Sequence, residues 1–204
     1  MLFRSMATET SFKAVLLDGM GTLLRLIRPV PPLSEEAFRR EVAYYVEHHL
    51  EGRDAASLAD LRRRCAAAAG VPVEVLMEAI RFEAYEDAPP TLARLRERGL
   101  RLVVVSNWDC SLPDVLERIG IAPLVDAVVA SAVVGAAKPD PRIFHAALVR
   151  AGCEPAEALH VGDSVAADVE GAQALGIPVV FLDREGGHAP GSIASLAELP
   201  PLLS

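Results

Sequence analysis

The chain has 204 residues, of which 51% are hydrophobic and 24% charged, and its formal net charge is −8. That is enough apolar chain for a full core, in one domain with an insertion or in two small ones, and the acidic balance argues against a nucleic-acid or anionic-membrane partner. No segment approaches the ~18 apolar residues of a membrane span. Met1–Ser5 is too short for a signal peptide, and either Met1 or Met6 fits as the native start. Cys65, Cys110 and Cys153 form no CxxC pair and read as thiols of a reducing cytoplasm. Arg62-Arg63-Arg64 reads as a solvated helix face.

Phe12–Leu17 is the first of five short, almost unbroken apolar runs, the pattern of parallel strands buried on both faces. It ends in Asp18-Gly19-Met20-Gly21-Thr22, a carboxylate followed by a turn in which Gly21 suits a tight bend. Between Thr22 and Pro89 three helices and no strand are expected. Ser34 caps the first, with Glu35 and Glu36 in its opening turn and an apolar stripe of Phe38, Val42, Tyr45 and Val46. His49 extends that stripe, and His48 and Tyr44 lie on a neighbouring one. Asp54 caps the second helix, with Leu58, Leu61 and Cys65 on one face. Pro72 opens the third, whose stripe is Val73, Leu76, Met77, Ile80 and Ala84. Arg25–Pro32 and Glu86–Pro90 are the expected hinges. The remainder alternates. Helix Pro90–Arg98 stops at Gly99, strand Arg101–Ser106 follows, and Ser111 N-caps a helix that holds Pro113 and ends at Gly120. Strand Asp126–Ser131, a helix from Asp140-Pro141 to Gly152, strand Ala158–Gly162, a helix from about Ala166 to Leu175 and strand Pro178–Asp183 complete the pattern. The tail, Pro190–Ser204, reads as a short edge strand and a terminal turn. The expected fold is α/β, a Rossmann-like parallel sheet of about five strands flanked by helices, with a small all-helical unit inserted after the first strand. No GxGxxG follows that strand, which argues against dinucleotide binding.

In an open α/β sheet, sites form at the carboxyl ends of the strands. Four such ends carry residues suited to phosphoryl transfer: Asp18; Ser106-Asn107; Lys138, in Gly135-Ala136-Ala137-Lys138-Pro139-Asp140; and Gly162-Asp163-Ser164 with Asp168 beyond it. The reaction needs a nucleophile, cations for the equatorial oxygens, and donors that position them. Asp18 supplies the nucleophile, and Ser106, Asn107 and Lys138 the phosphate contacts. Asp18, Asp163 and the backbone carbonyl of Met20 form an oxygen ligand set for Mg²⁺. Asp168 reads either as a partner behind that metal or as the anchor of Lys138. The chain's other lysine is Lys13, so Lys138 is hard to read as generic surface charge.

These positions resemble, in order, the DxxGT, SN, KPDP and GDSxxxxD motifs of the haloacid dehalogenase-like (HAD) hydrolases. The resemblance covers most of the chain and implies a core over residues 1–27 and 87–204 with a short helical C1 cap over residues 28–86. It also implies a Mg²⁺-dependent phosphatase acting on a small phosphorylated molecule through an aspartyl phosphate, as a cytoplasmic monomer or homodimer. One departure stands out: most phosphatases of this superfamily carry a second aspartate where this chain has Met20. That aspartate protonates the leaving alkoxide and then activates water, help typically worth about 10²–10⁴-fold. Asp109, His48 and His49 are the candidates to replace it. Two other readings stand beside the phosphatase. One is a 2-haloacid dehalogenase-like hydrolase, with Arg25 or Arg28 holding the carboxylate or halide; the other is a non-catalytic binding protein. The phosphonatase branch needs a cap lysine, and residues 28–86 contain none.

Overall fold

The computed structural model describes residues 12–27, 33–186 and 191–203. Strands β1 (Ala14–Leu17) and β2 (Leu24–Ile27) come first, then helices α1 (Glu35–His48), α2 (Ala55–Ala69) and α3 (Val73–Ala79), strand β3 (Arg81–Ala84) and helix α4 (Ala88–Glu97). Then follow β4 (Arg101–Ser106), α5 (Leu112–Arg118), β5 (Ala127–Ala130), α6 (Ser131–Val134) and α7 (Pro141–Ala151). Strand β6 (Ala158–Gly162), a π-helical segment (Val165–Glu170) running into α8 (Gly171–Gln173), β7 (Val179–Phe181) and α9 (Leu199–Leu202) end the chain.

The five expected strands form one parallel sheet in the order β5-β4-β1-β6-β7. β1 is central, and its four residues are fully buried. Val15 and Leu17 pack into one core with Leu92, Leu95, Leu112 and Leu116, while Ala14 and Leu16 pack on the other face with Ile143, Phe144 and Ala147. Helices on both faces are why the strand reads as an unbroken apolar run and not as an alternating one. The register sets Leu17 beside Val104 on one side and Val161 on the other. The residues that follow β1, β4 and β6 therefore emerge together at one end of the sheet. Among the described residues no helix is long and apolar enough to cross a membrane.

Residues 33–79 form the three expected helices, packed on a core of their own that includes Ala37, Leu61, Cys65, Ala66, Ala69 and Leu76. Ser34 and Asp54 cap α1 and α2 as expected; Asp54 closes a capping box with Ser57. Two expectations fail here. The region is not free of strand: β2 and β3 pair antiparallel, Leu24 opposite Ala84, across the ends of the segment expected to be only helical. Each strand has four residues and its partner lies more than fifty positions away, so no local turn signal marks the ribbon. The buried face of α1 is also rotated from the expected stripe. Val46 is 64% exposed, whereas Glu41 is buried at 5%. Ser111 stands at the N-terminus of α5, but its side chain does not cap; the Asp109 carboxylate instead accepts from the Ser111 N–H. In the tail, the expected edge strand reduces to a single bridge, Ile193 to Leu182, before two short helical turns. Pro190 and Ser204, at the ends of that tail, and Arg28 lie outside the described residues.

Candidate active site

The carboxyl ends of β1, β4 and β6 and the loop after α6 bring Asp18, Ser106, Lys138, Asp163 and Asp168 to one place. Lys138 Nζ donates to Asp18 Oδ1 and to Asp168 Oδ1, both at 2.6 Å. Ser106 Oγ donates to Asp18 Oδ1 at 3.0 Å. Both bonds to Asp18 thus end on the same oxygen. Asp168 is held from three sides, since His160 Nε2 donates to Oδ1 at 2.8 Å and the Ser164 N–H to Oδ2 at 3.0 Å. Asp18, Ser106, Lys138, Asp168 and His160 are all at most 6% exposed. His160 is buried, but its polar edge belongs to this network.

Two glycines of the motifs are required by close approach. A Cβ on Gly21, whose φ is +77°, would lie 1.9 Å from Asp163 Oδ2. A Cβ on Gly162 would lie 2.2 Å from Asp168 Cγ. Glycine is the only residue that lets these backbones pass the carboxylates.

The electrostatics are unbalanced. Burial opposes ionisation of Asp168, but the His160 bond and the Lys138 charge outweigh it and hold the carboxyl well below the usual range. Burial pushes Asp18 up despite Lys138, with the Asp168 charge adding to the push. Burial would lower Lys138, yet Asp18 and Asp168 raise it. Asp163 stands at the rim, and partial desolvation with repulsion from Asp18 and Asp168 pushes it up to about 7. Carboxylate oxygens of Asp18, Asp163 and Asp168 come within 4.8 Å of one another. Three carboxylates face one ammonium, and the donor set is all hard oxygen, so the residues fit a divalent cation such as Mg²⁺. Both Asp168 oxygens are already engaged, which makes it the anchor of Lys138 more than a direct ligand.

Other residues singled out from sequence fare differently. Asn107 spends its amide on Lys138, donating from Nδ2 to the Lys138 carbonyl at 3.0 Å and accepting the Lys138 N–H at 2.7 Å. One amide N–H and the amide oxygen thus brace the lysine loop, and the second amide N–H takes no part in that brace. Met20 and Asp109 both line a cavity between the core and α1–α3. Asp109 is engaged there, accepting from the Tyr45 hydroxyl at 3.0 Å and from the Ser111 N–H at 2.7 Å. His48 stacks on Tyr44 at 4.0 Å, and Nδ1 of His49 meets the Val46 carbonyl at 2.9 Å. Neither histidine lines the cavity. Trp108 does, and it also packs on Phe82 at 4.9 Å. Arg25 pairs with Glu83 at 2.6 Å across the β2–β3 ribbon.

Sequence reasoning missed Arg184. Its guanidinium forks onto Asp87 (2.9 and 3.0 Å), donates to the carbonyls of Gly21 (3.0 Å) and Thr22 (2.6 Å), and lies 3.6 Å over the Tyr85 ring. Asp87 also accepts from Ser195 Oγ and the Leu196 N–H. The loop after Asp18, the end of the β3 segment and the tail are tied through one side chain. The signal was position: Arg184 follows the carboxyl end of the fifth strand, where the strand-end rule looks for function.

The match with known proteins agrees with this geometry. Residues 12–176 match the haloacid dehalogenase-like hydrolase family, and the chain belongs to it. Among curated relatives, haloacid dehalogenase-like hydrolase domain-containing protein 3 of Mus musculus is 46% identical over 121 residues, covering 53% of this chain and 48% of that protein. A phosphoserine phosphatase of Thermus thermophilus is 40% identical over 108 residues, covering 51% of this chain and 42% of that protein. The chain spans about half the length of the curated relatives it matches. A solved HAD phosphatase from Thermococcus onnurineus superposes with a TM-score of 0.68 at 26% identity, covering 94% of this chain and 98% of that one. A solved dehalogenase shares the fold as closely, with a TM-score of 0.71 at 23% identity over 94% of this chain and 97% of its own, so shape alone does not choose the reaction.

Proposed function

We propose that this hydrolase is a Mg²⁺-dependent phosphatase acting on a small phosphorylated molecule, with Asp18 as nucleophile. The observation that carries the reading is the pair of bonds on Asp18 Oδ1 from Lys138 and Ser106, which leaves Oδ2 to attack phosphorus. As the Oδ2–P bond forms, the bond from phosphorus to the leaving oxygen breaks and that oxygen takes the electron pair. Water then attacks the aspartyl phosphate, the P–Oδ2 bond breaks, and inorganic phosphate departs with Asp18 restored. Lys138 offsets charge on the phosphoryl oxygens, Ser106 positions one of them, and Asp168 with His160 keeps Lys138 extended toward Asp18. Asp18, Asp163 and the Met20 carbonyl would hold Mg²⁺, which supplies the positive charge the three carboxylates and a phosphate dianion require. Residues 28–86 act as the cap, hinged at Arg25–Pro32 and Glu86–Pro90, with the β2–β3 pairing at its base.

Met20 carries no proton, so the leaving oxygen has no carboxylic acid at the usual position. The reading therefore favours aryl and acyl phosphates, which leave without protonation, over alkyl phosphates. The dehalogenase alternative would also use Asp18 as nucleophile, but it has no use for a metal site at Asp163 and Asp168, and its candidate Arg25 is occupied by Glu83. A panel of alkyl, aryl and acyl phosphates assayed with Mg²⁺ and with chelator tests the proposal. Aryl and acyl esters should turn over only with Mg²⁺, and Asp18→Asn should abolish turnover. Equal rates on alkyl esters, or halide release from 2-haloacids in chelator, would overturn it.

A further inference from the structure

A cavity of about 330 Å³ lies between the core and helices α1–α3. It is shared by Met20, two residues beyond Asp18, and Asn107, one beyond Ser106, so it adjoins the phosphoryl site. Most of its wall is apolar, with Phe38, Leu61, Leu76 and Trp108 among the lining side chains. One residue is out of character. Glu41, on α1, lines this cavity, is only 5% exposed, and has no hydrogen-bond or ion-pair partner among the described residues. The groups nearby are committed elsewhere. Tyr45 gives its hydroxyl proton to Asp109, and neither Arg62 nor Arg118, which line the same cavity, pairs with Glu41. Burial alone pushes the Glu41 carboxyl up to about 7.

The Glu41 oxygens are not among the fully enclosed polar atoms that lack a partner, so they open onto the cavity, and a carboxyl facing a largely apolar cavity with no protein donor costs stability that an apolar side chain at the same helical position would not. Its presence is explained if the donor arrives with a ligand. The cavity sets the size of that ligand, since about 150 Å³ of dry space already accommodates a benzene ring. We propose that Glu41 reads the leaving group of the substrate, a phosphate monoester whose alcohol is a ring-sized apolar body carrying one hydrogen-bond donor, hydroxyl or ammonium, that meets the Glu41 carboxyl. This rests on the phosphatase reading of the adjoining site. An aromatic or similarly stabilised leaving oxygen in such a cavity also agrees with Met20, which offers it no proton.

The test uses three near-isosteric esters: the phosphates of 4-propylphenol, tyrosol (4-hydroxyethylphenol, phosphorylated on the phenol) and tyramine. Wild-type protein should hydrolyse the tyrosol or the tyramine ester with kcat/KM tenfold or more above the propyl ester, the difference lying in KM. Glu41→Leu should invert that order. Glu41→Gln, which keeps an acceptor and loses the charge, should retain a preference for hydroxyl and lose one for ammonium. Wild-type rates within about twofold across the three esters, or an equal loss on all three in Glu41→Leu, would overturn the inference. If no phosphate ester turns over at all, the phosphatase reading fails, and calorimetry with the free phenols decides the point about Glu41. Tyrosol or tyramine should then bind wild type more tightly than 4-propylphenol, with the order inverted in Glu41→Leu; equal binding, or none, overturns it.

Discussion

Replacing Glu41 by leucine should stabilise the protein, and by an amount that depends on pH. The folded carboxyl ionises near pH 7, against 4.5 for a free glutamate, and burial is the cause. In the folded state the group holds its proton to higher pH than in the unfolded chain. Stability associated with that proton is complete below about pH 4.5 and is lost as pH rises toward 7. Each tenfold in this displacement is worth about 1.4 kcal/mol, so the full cost of ionising Glu41 in place is about 3 kcal/mol above pH 7. Near pH 5 less than about 1 kcal/mol of it has appeared. Leucine has similar bulk and no charge to desolvate. The gap in unfolding free energy between Glu41→Leu and wild type should therefore widen by about 2–3 kcal/mol between pH 5 and pH 8. The nearest titratable neighbours do not blur this window, because burial pushes Cys65 up to about 12 and holds Tyr45 well above its usual value. Urea unfolding of both proteins at pH 5, 6, 7 and 8 measures the gap directly, and every group common to the two cancels. A gap that stays constant over this range would refute the reasoning, since it would mean that Glu41 is solvated or paired.

The other predictions concern the reaction loop. Met20→Asp restores a carboxylic acid beside the nucleophile and should raise alkyl-phosphate turnover by about 100-fold in a steady-state assay; no gain would mean that another residue already moves the proton. Gly21→Ala places a methyl group 1.9 Å from Asp163 Oδ2 at a positive φ. It should cost about 1–2 kcal/mol in thermal unfolding and abolish Mg²⁺-dependent activity beyond rescue by excess metal; full activity at high Mg²⁺ would contradict the role given to Asp163. Arg184→Lys removes the fork on Asp87 and the carbonyl bonds to Gly21 and Thr22. It should lower unfolding free energy by about 2 kcal/mol and raise the Mg²⁺ concentration for half-maximal activity, because an ammonium cannot reproduce the planar donor pattern. A lysine variant indistinguishable from wild type in both measurements would show that the tether is dispensable.

What the residues alone determine is largely what repeats or recurs at strand ends. The apolar stretches at the heart of Phe12–Leu17 and Arg101–Ser106, Ala14–Leu17 and Leu102–Val105, carry the parallel sheet, because burial on both faces leaves those positions no contact with water. Asp18, Ser106 and Asp163 are each legible as the residue at or just beyond such a run, since the sheet places those ends together whatever the loops do; Lys138, past α6, is legible instead by the scarcity of lysine and its Lys-Pro-Asp-Pro setting. The caps Ser34, Asp54 and Asp140 are legible for a similar reason, being local hydrogen bonds to the next turn.

Only the tertiary structure decides where distant backbones meet. The β2–β3 ribbon depends on Leu24 finding Ala84, and no local pattern encodes that pairing. Asn107 is legible beside Ser106, but that its amide also braces the backbone of Lys138, thirty-one residues on, is a property of the fold. Glu41 breaks the apolar face of α1 in the sequence, but whether a carboxyl there is solvated, paired or buried depends on how α2 and α3 pack around it. Arg184 is one arginine among many until the fold stacks it on Tyr85 and joins it to Asp87, Gly21 and Thr22. Periodicity and capping are short-range physics and survive in one dimension; desolvation and long-range hydrogen bonding are properties of the folded shape.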